Sequence, residues 1–446
     1  MTHVHNLTVS AGIAPIPERH SRRWYRNSAW WLSLPLMAAS SEFAFAQASE
    51  DDEFLDRFEF GVWVDTSFER LGNEDLDDRR SDGLSAVVPE LGLGIDYEVS
   101  DSIGAYLSLL AEGWWAVDRG RERSLEESES SLNVEEFYFD FYDITDELSF
   151  RVGRQTFADT REWLYVEELD GIRAFYDYDD LSLELSASRE REFTRDIFDN
   201  DASEERVNNY IVSGSYQLTD DHQAGAYALV RDDQRDSVNP IFYGLRASGA
   251  ATDSLDYWLE LGHVRGRDGS DRLRGYGFDL GGTYRFDAPL EPSLTLGYAF
   301  GSGDSNPDSD VDRQFRQTGL HDNYGLFNGV QGFSYYGETL DPDLSNLQIV
   351  TAGVGIRPSE LSSIDLIYHH YQQDVATDEI IEGSLLLVPT NGESRDVGQA
   401  VDLVIGYHAF EDIRLRSRLG YFMPGDAFGN SASDAYSLVL GIEYTF

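Results

Sequence analysis

The sequence predicts an all-β chain that closes into a transmembrane antiparallel barrel of about 18 strands, and three observations predict it. Apolar and polar residues alternate with a period of two, short and long connections alternate strictly between the predicted strands, and the last strand ends on an aromatic residue, Phe446. A chain of 446 residues fits two or three soluble domains on length alone, but single barrels also reach this size. With 40 Gly, 25 Tyr and 25 Phe, the chain is rich in strand and turn formers. It has no apolar run of 18 or more residues, which excludes an ordinary membrane helix and says nothing against strands.

In chain order, the first element is an export signal. Residues 19–26 (RHSRRWYR) are basic, 28–39 (SAWWLSLPLMAA) are apolar, and AFA at 44–46 precedes Gln47. This is the layout of a secretory signal peptide spanning 1–46, suited to the general secretory route by which unfolded outer-membrane chains travel. Residues 47–53 (QASEDDE) are then a short acidic periplasmic tail, and 54–446 the barrel.

Along the barrel, "RGYGFDLGGTYRF" sets Tyr276, Phe278, Leu280, Tyr284 and Phe286 against Gly275, Gly277, Asp279, Gly281, Thr283 and Arg285. "IRLRSRLGY" sets Ile413, Leu415, Leu419 and Tyr421 against Arg414, Arg416, Arg418 and Gly420. "YSLVLGIEYTF" places Tyr436, Leu438, Leu440, Ile442, Tyr444 and Phe446 on one face. Period alone does not distinguish a soluble sandwich from a membrane barrel, so connection lengths decide. Tight turns fall near residues 100, 146, 179, 220, 252, 290, 359 and 411. Longer polar connections fall near 71–83, 119–131, 159–166, 194–206, 232–238, 267–272, 303–346, 376–396 and 426–433. A sandwich or propeller does not explain that alternation; short periplasmic turns and long extracellular loops do. Trp114, Trp115, Tyr176, Tyr178, Tyr407 and Tyr421 are expected in the interfacial girdles, with outer-membrane lipid outside them. Phe446 fits the signal read by the barrel assembly machinery.

Composition excludes other roles. A net charge of −48 repels nucleic acid. All 34 basic residues are arginine, a bias consistent with either a salt-adapted source or codon preference. No cysteine is present, so thiolate chemistry and disulfides are excluded. The nine histidines show no zinc spacing, and His369 and His370 point to opposite faces of a strand. "GSGDSNPDSDVD" at 301–312 lacks the spacing of a calcium loop, and there is no GxSxG. No cofactor, metal or catalytic residue is expected.

The candidate functional residues therefore line a water-filled lumen. Its predicted wall is mixed: Arg173, Arg246, Arg285, Arg414, Arg416 and Arg418 share the inward phase with Glu59, Asp65, Glu136, Asp140, Glu184, Glu260, Asp279, Asp365, Asp402 and Glu443. The planar guanidinium fork matches carboxylates, so an arginine ladder suits an anionic solute; the alternative is that these charges only brace the wall. Arg414, Arg416 and Arg418 carry the signal best, because same-face neighbours on one strand lie about 7 Å apart and repel unless acids or a polyanion separate them.

"GRQ…REWLY.EELDG.R" within 152–186, "FRQTGLHDNYG" at 315–325, "YYGETLDPDLSNL" at 335–347, "GQAVDLVIGY" at 398–407 and "GYFMPGDAFG" at 420–429 together resemble the alginate export family of outer-membrane porins. The resemblance implies an 18-stranded barrel whose arginine-lined pore passes an anionic polysaccharide, with loops as gates and periplasmic export components as partners. It implies roles for Arg154, Asp170, Arg173, Arg316 and the Arg414–Arg418 ladder; a general or uptake porin for small solutes is the alternative. In the 152–186 stretch two strands flank an external connection, "ADTREWLYV". Arg173 takes the lumen phase, whereas Arg154 interrupts the apolar series of Phe150 and Val152: either a bulge at Gly153 turns it inward or it sits at the membrane edge.

Overall fold

The computed structural model describes residues 57–79, 83–118, 129–190, 196–197, 207–234, 238–408, 410 and 412–446. The signal peptide, the acidic tail and the first residues expected in the barrel lie outside them. Twenty-two strands follow in chain order: β1 (Phe58–Gly72), β2 (Leu84–Ser100), β3 (Ile103–Asp118), β4 (Glu129–Thr145), β5 (Leu148–Ala158), β6 (Val166–Tyr178), β7 (Leu181–Arg189), β8 (Val207–Thr219), β9 (His222–Asp233), β10 (Val238–Thr252), β11 (Leu255–Asp268), β12 (Asp271–Leu273), β13 (Tyr276–Arg285), β14 (Ser293–Gly301), β15 (Val311–Asp312), β16 (Tyr324–Gly325), β17 (Phe333–Ser334), β18 (Leu347–Ser359), β19 (Ser362–Gln373), β20 (Asp396–Tyr407), β21 (Ile413–Pro424) and β22 (Ala435–Thr445). The two- and three-residue strands β12, β15, β16 and β17 belong to loops; among the described residues, the remaining 18 strands form the wall.

Each wall strand pairs antiparallel with its chain neighbours, and β1 closes the sheet on β22 from Trp63↔Thr445 to Gly72↔Tyr436. Closure removes the unpaired edges that an open sheet would present. Short turns gather at one end of the barrel and long loops at the other, as the connection lengths predict.

Facing follows the expected period. On β22, Tyr436, Leu440 and Ile442 are exposed outward while Ser437, Val439 and Glu443 are buried inside. On β13, Leu280 is exposed and Asp279 buried. Trp115, Tyr176, Tyr178, Tyr407 and Tyr421 are exposed on the outer surface as girdle residues should be. Trp114 is the exception: it is 4% exposed, on the opposite face of β3 from Trp115, so it packs inside and forms no part of a girdle.

The barrel core consists of wall side chains and loops folded into the lumen. Residues 159–165, between β5 and β6, were expected outside; instead Trp163, Leu164 and Tyr165 are buried. Residues 302–346, between β14 and β18, form a long inserted segment with Phe315, Tyr324, Phe333, Tyr335, Tyr336, Leu340 and Leu344 all buried. Within it β16 and β17 pair as a small hairpin. In the loop that joins those two strands, the Val330 amide donates to Ser363 Oγ at 2.9 Å, at the first residues of β19. The segment therefore runs from the long-loop end down to the short-turn end.

Candidate functional site

The ladder on β21 does face the lumen: Arg416 is 7% and Arg418 2% exposed, whereas Leu415 and Leu419 on the same strand are exposed to the outside. The repulsion among its three cations is resolved by acids from three different elements. Arg414 Nη1 donates to Glu443 Oε1 on β22 at 2.9 Å. Arg416 forks onto both carboxylate oxygens of Asp65 on β1 and lies flat over Gly441. Arg418 forks onto no wall carboxylate among the described residues, although buried Glu69 of β1 acts on it across Val439: its Nη1 donates to Tyr324 Oη at 3.2 Å, and its Nε lies 3.6 Å from Glu338 Oε2, both on the inserted segment.

The inserted segment is anchored around that arginine. The Glu338 amide donates to Asp402 Oδ2 at 3.3 Å, and Glu338 Oε1 accepts from the Ser334 amide at 3.0 Å. Thr339 and Ser437 hydroxyls share a 2.9 Å hydrogen bond, and Ser437 also donates to the Glu338 carbonyl. Behind Asp402 stands His369, with 3.2 Å between His369 Nε2 and Asp402 Oδ2, and His370 points away from it toward the outer face. Burial raises the Glu338 carboxyl above its ordinary range against the opposing pull of Arg418.

A second anchor joins the two inserted connections to the wall. Arg161, from the 159–165 connection, pairs with Asp279 of β13 at 2.8 Å and lies between Trp258 and Tyr335, 4.6 and 4.4 Å from their ring centroids. Asp279 is saturated: it also accepts from Trp258 Nε1 at 2.8 Å and Tyr336 Oη at 3.1 Å. Trp163 stacks on Phe315, binding one inserted connection to the other. Burial is the largest influence on Arg161 and works against its charge, but Asp279 together with Tyr335, Tyr336 and Glu260 outweighs it, so this guanidinium holds its proton more tightly than usual.

The other expected lumen arginines are inward and paired. Arg173 forks onto Glu184 at 2.9 and 2.8 Å, donates to the Thr156 carbonyl, and lies against Phe157 and Phe175. Arg246 bridges Asp159 at 2.8 Å and Glu260 at 3.4 Å. Arg285 pairs with Asp256 near the short-turn end. Arg316, on the inserted segment, pairs with Asp268 at 2.6 Å and with Asp312.

Arg154 and Asp170 are corrected. The β5–β6 register aligns Val152 with Ile172 and Arg154 with Asp170 without interruption, so no bulge turns Arg154. Val152 and Ile172 are exposed outside, while Gln155 and Leu169, on the opposite face, are buried. Arg154 and Asp170 therefore stand on the outer face near the long-loop end, joined by bonds of 2.9 and 3.0 Å, and line no pore. The lumen arginine of β5 is Arg151, which forks onto Asp140 at 2.7 and 2.9 Å. Its phase, shared with Gly153, was the signal that identifies it.

The family model described as alginate export matches residues 56–440. The chain is 30% identical over 175 residues to "Alginate production protein AlgE" of Pseudomonas aeruginosa, covering 36% of this chain and 34% of that protein. It is 25% identical over 382 residues to the protein of the same name from Pseudomonas syringae pv. tomato, covering 70% and 74%. The first match thus spans about a third of the relative's length. Among solved structures, the barrel is similar to the outer membrane protein OprD of Pseudomonas aeruginosa at TM-score 0.56 and 12% identity, covering 88% of this chain and 94% of that one. It is similar to OccAB3 of Acinetobacter baumannii at TM-score 0.58 and 14% identity, covering 88% and 99%. With the fold, the inward ladder and a family match over nearly the whole barrel in agreement, the chain belongs to the alginate export family.

Proposed function

We propose that this protein is an outer-membrane channel that passes alginate or a similar polyuronate by passive diffusion, from the short-turn, periplasmic end to the long-loop, external end. The observation that carries the reading is the inward Arg414–Arg416–Arg418 ladder in a barrel of this family. Two members of the ladder take their acids from the wall, but Arg418 takes its acid from the inserted segment. Glu338 is then a placeholder: when the segment withdraws, Arg418 loses its carboxylate and a uronate carboxylate takes its place in the guanidinium fork. Opening the path and exposing the cation become one event. Lipid outside, assembly through Phe446 and periplasmic export components at the short-turn end complete the proposal.

Single-channel recordings test it. Free polyuronate added at the short-turn side is expected to interrupt the current, and Arg418→Gln is expected to shorten the interruptions. A pore that prefers cations and is never blocked by polyuronate overturns the reading. A general porin for small solutes is the second reading, favoured by the acid partners of Arg173, Arg246 and Arg285. Liposome swelling rates that track the size of neutral sugars alone would select it.

A further inference from the structure

The ladder does not account for an aromatic strip on the adjoining arc of the lumen, which starts on β1 two strands from β21. Trp63 shares the inward face of β1 with buried Asp65, and its partner across the sheet is Gly92. A Cβ at Gly92 would lie 1.8 Å from Trp63 Cε2, so the indole rests flat on bare backbone. Two residues further along β2, Tyr106 leans over Gly94 in the same way, with its Oη 3.1 Å from the Cβ position. Tyr106 meets Tyr138 at 5.3 Å between centroids, and the Arg151 guanidinium lies 3.9 Å above the Tyr138 ring. Tyr142, 45% exposed, covers Gly104 and donates to Asp140 Oδ2 at 3.2 Å, the carboxylate that also holds Arg151.

Neither core filling nor a lipid girdle explains this arrangement. A filling ring interdigitates with side chains, whereas Trp63, seated on Gly92, lies along the wall and turns a face toward the lumen. Trp63 and Tyr138 stay half-buried although they point inward, and Tyr142 is open. All of these residues lie toward the short-turn end: Tyr106 and Arg151 near the starts of β3 and β5, and Tyr142 near the end of β4. Flat apolar rings bordered by a carboxylate and a guanidinium suit a ligand with apolar C–H faces and an equatorial fringe of hydroxyls. Hydroxyls donate to Asp140, and a ring carboxylate accepts from Arg151.

We propose that Trp63, Tyr138 and Tyr142, backed by the buried Tyr106, form a stacking track for the pyranose rings of a glycan entering the barrel, with Arg151 and Asp140 as its polar edge. The proposal takes from the reading above only that the lumen carries a glycan. The track recognises rings, and the ladder recognises charge.

The test is single-channel block of the full chain in planar bilayers by two probes, a uronate hexamer cut from alginate and a neutral gluco-hexasaccharide. Trp63→Ala and Tyr138→Leu are each expected to shorten the residence of both probes about fivefold, the scale of one lost aromatic contact. Trp63→Phe should retain most of the wild-type residence, and Arg418→Gln should shorten only that of the uronate. Unchanged residence of both probes in Trp63→Ala and Tyr138→Leu barrels that remain heat-modifiable on gels overturns the track. If the uronate fails to block wild type, the polyuronate reading falls and the neutral probe still decides the track; if neither probe blocks, both fall.

Discussion

Arg418 of the wall and Glu338 of the inserted segment face each other at 3.6 Å with side chains only 2% and 5% exposed. The pair is too long for a strong hydrogen bond, yet it is shielded from water, where removing one partner strands a charge. Arg418→Met is therefore expected to weaken docking of the segment by about 3 kcal/mol, the lower end of the range for a buried charge left without its partner, because the Glu338 carboxylate is stranded. Longer and more frequent openings in bilayer recordings would report it. Adding Glu338→Gln should restore much of the docking, because the stranded carboxylate is then gone. A double variant as open as Arg418→Met alone contradicts this.

Acid should close the channel. Burial raises the Glu338 carboxyl, with Asp402 and Asp322 reinforcing the shift and Arg418 opposing it. A carboxyl with a raised pKa in the docked state contributes fully below its ordinary range and loses that contribution as pH rises through the raised value. Open probability is accordingly expected to fall on acidification from neutral pH toward the ordinary carboxyl range. An open probability that rises on acidification would place the controlling groups elsewhere.

The barrel was legible in the sequence because a closed sheet between lipid and lumen forces a period of two on every strand, as Leu440 and Ile442 against Val439 and Glu443 illustrate. Turn positions were legible because strand neighbours at the short-turn end need only a few residues to connect. Insertion of 302–346 was not. Its fit depends on partners distant in sequence, such as Phe315 with Trp163 and Glu338 with Arg418, and local polarity carries no record of them. The run of Phe315, Tyr324, Phe327, Phe333, Tyr335 and Tyr336 was the available sign that this loop has a surface to bury. For Arg154 the phase left an inward and an edge placement open; what the sequence lacked was the register that seats it opposite Asp170 on the outer face.

A wedge at the lower end of the segment tests whether it moves as a gate. A Cβ at Gly406, on the inner face of β20, would stand 2.7 Å from Val330 Cγ2 and 3.1 Å from the Gln331 amide nitrogen. Gly406→Val is expected to lift the segment off Ser363 and raise single-channel conductance, with the barrel intact because strand residues tolerate valine well. Unchanged conductance would mean that the solute path runs clear of this end of the segment.

Arg154 and Asp170 give the opposite expectation. They carry charge on a face shared with Val152 and Ile172, yet their side chains are only 10% and 12% exposed and satisfy each other through two bonds. Arg154 also donates to the Val134 carbonyl on β4, so the pair ties three strands together near the upper edge of the outer surface. Arg154→Ala leaves Asp170 short of its strongest donor in a poorly solvated place, at a cost of about 1–3 kcal/mol. The temperature at which the barrel loses its compact gel mobility should fall, while ion selectivity and polyuronate block stay at wild-type values. Because the pair faces away from the lumen, a change in selectivity without loss of stability would require Arg154 to reach the solute path and would overturn its outward placement.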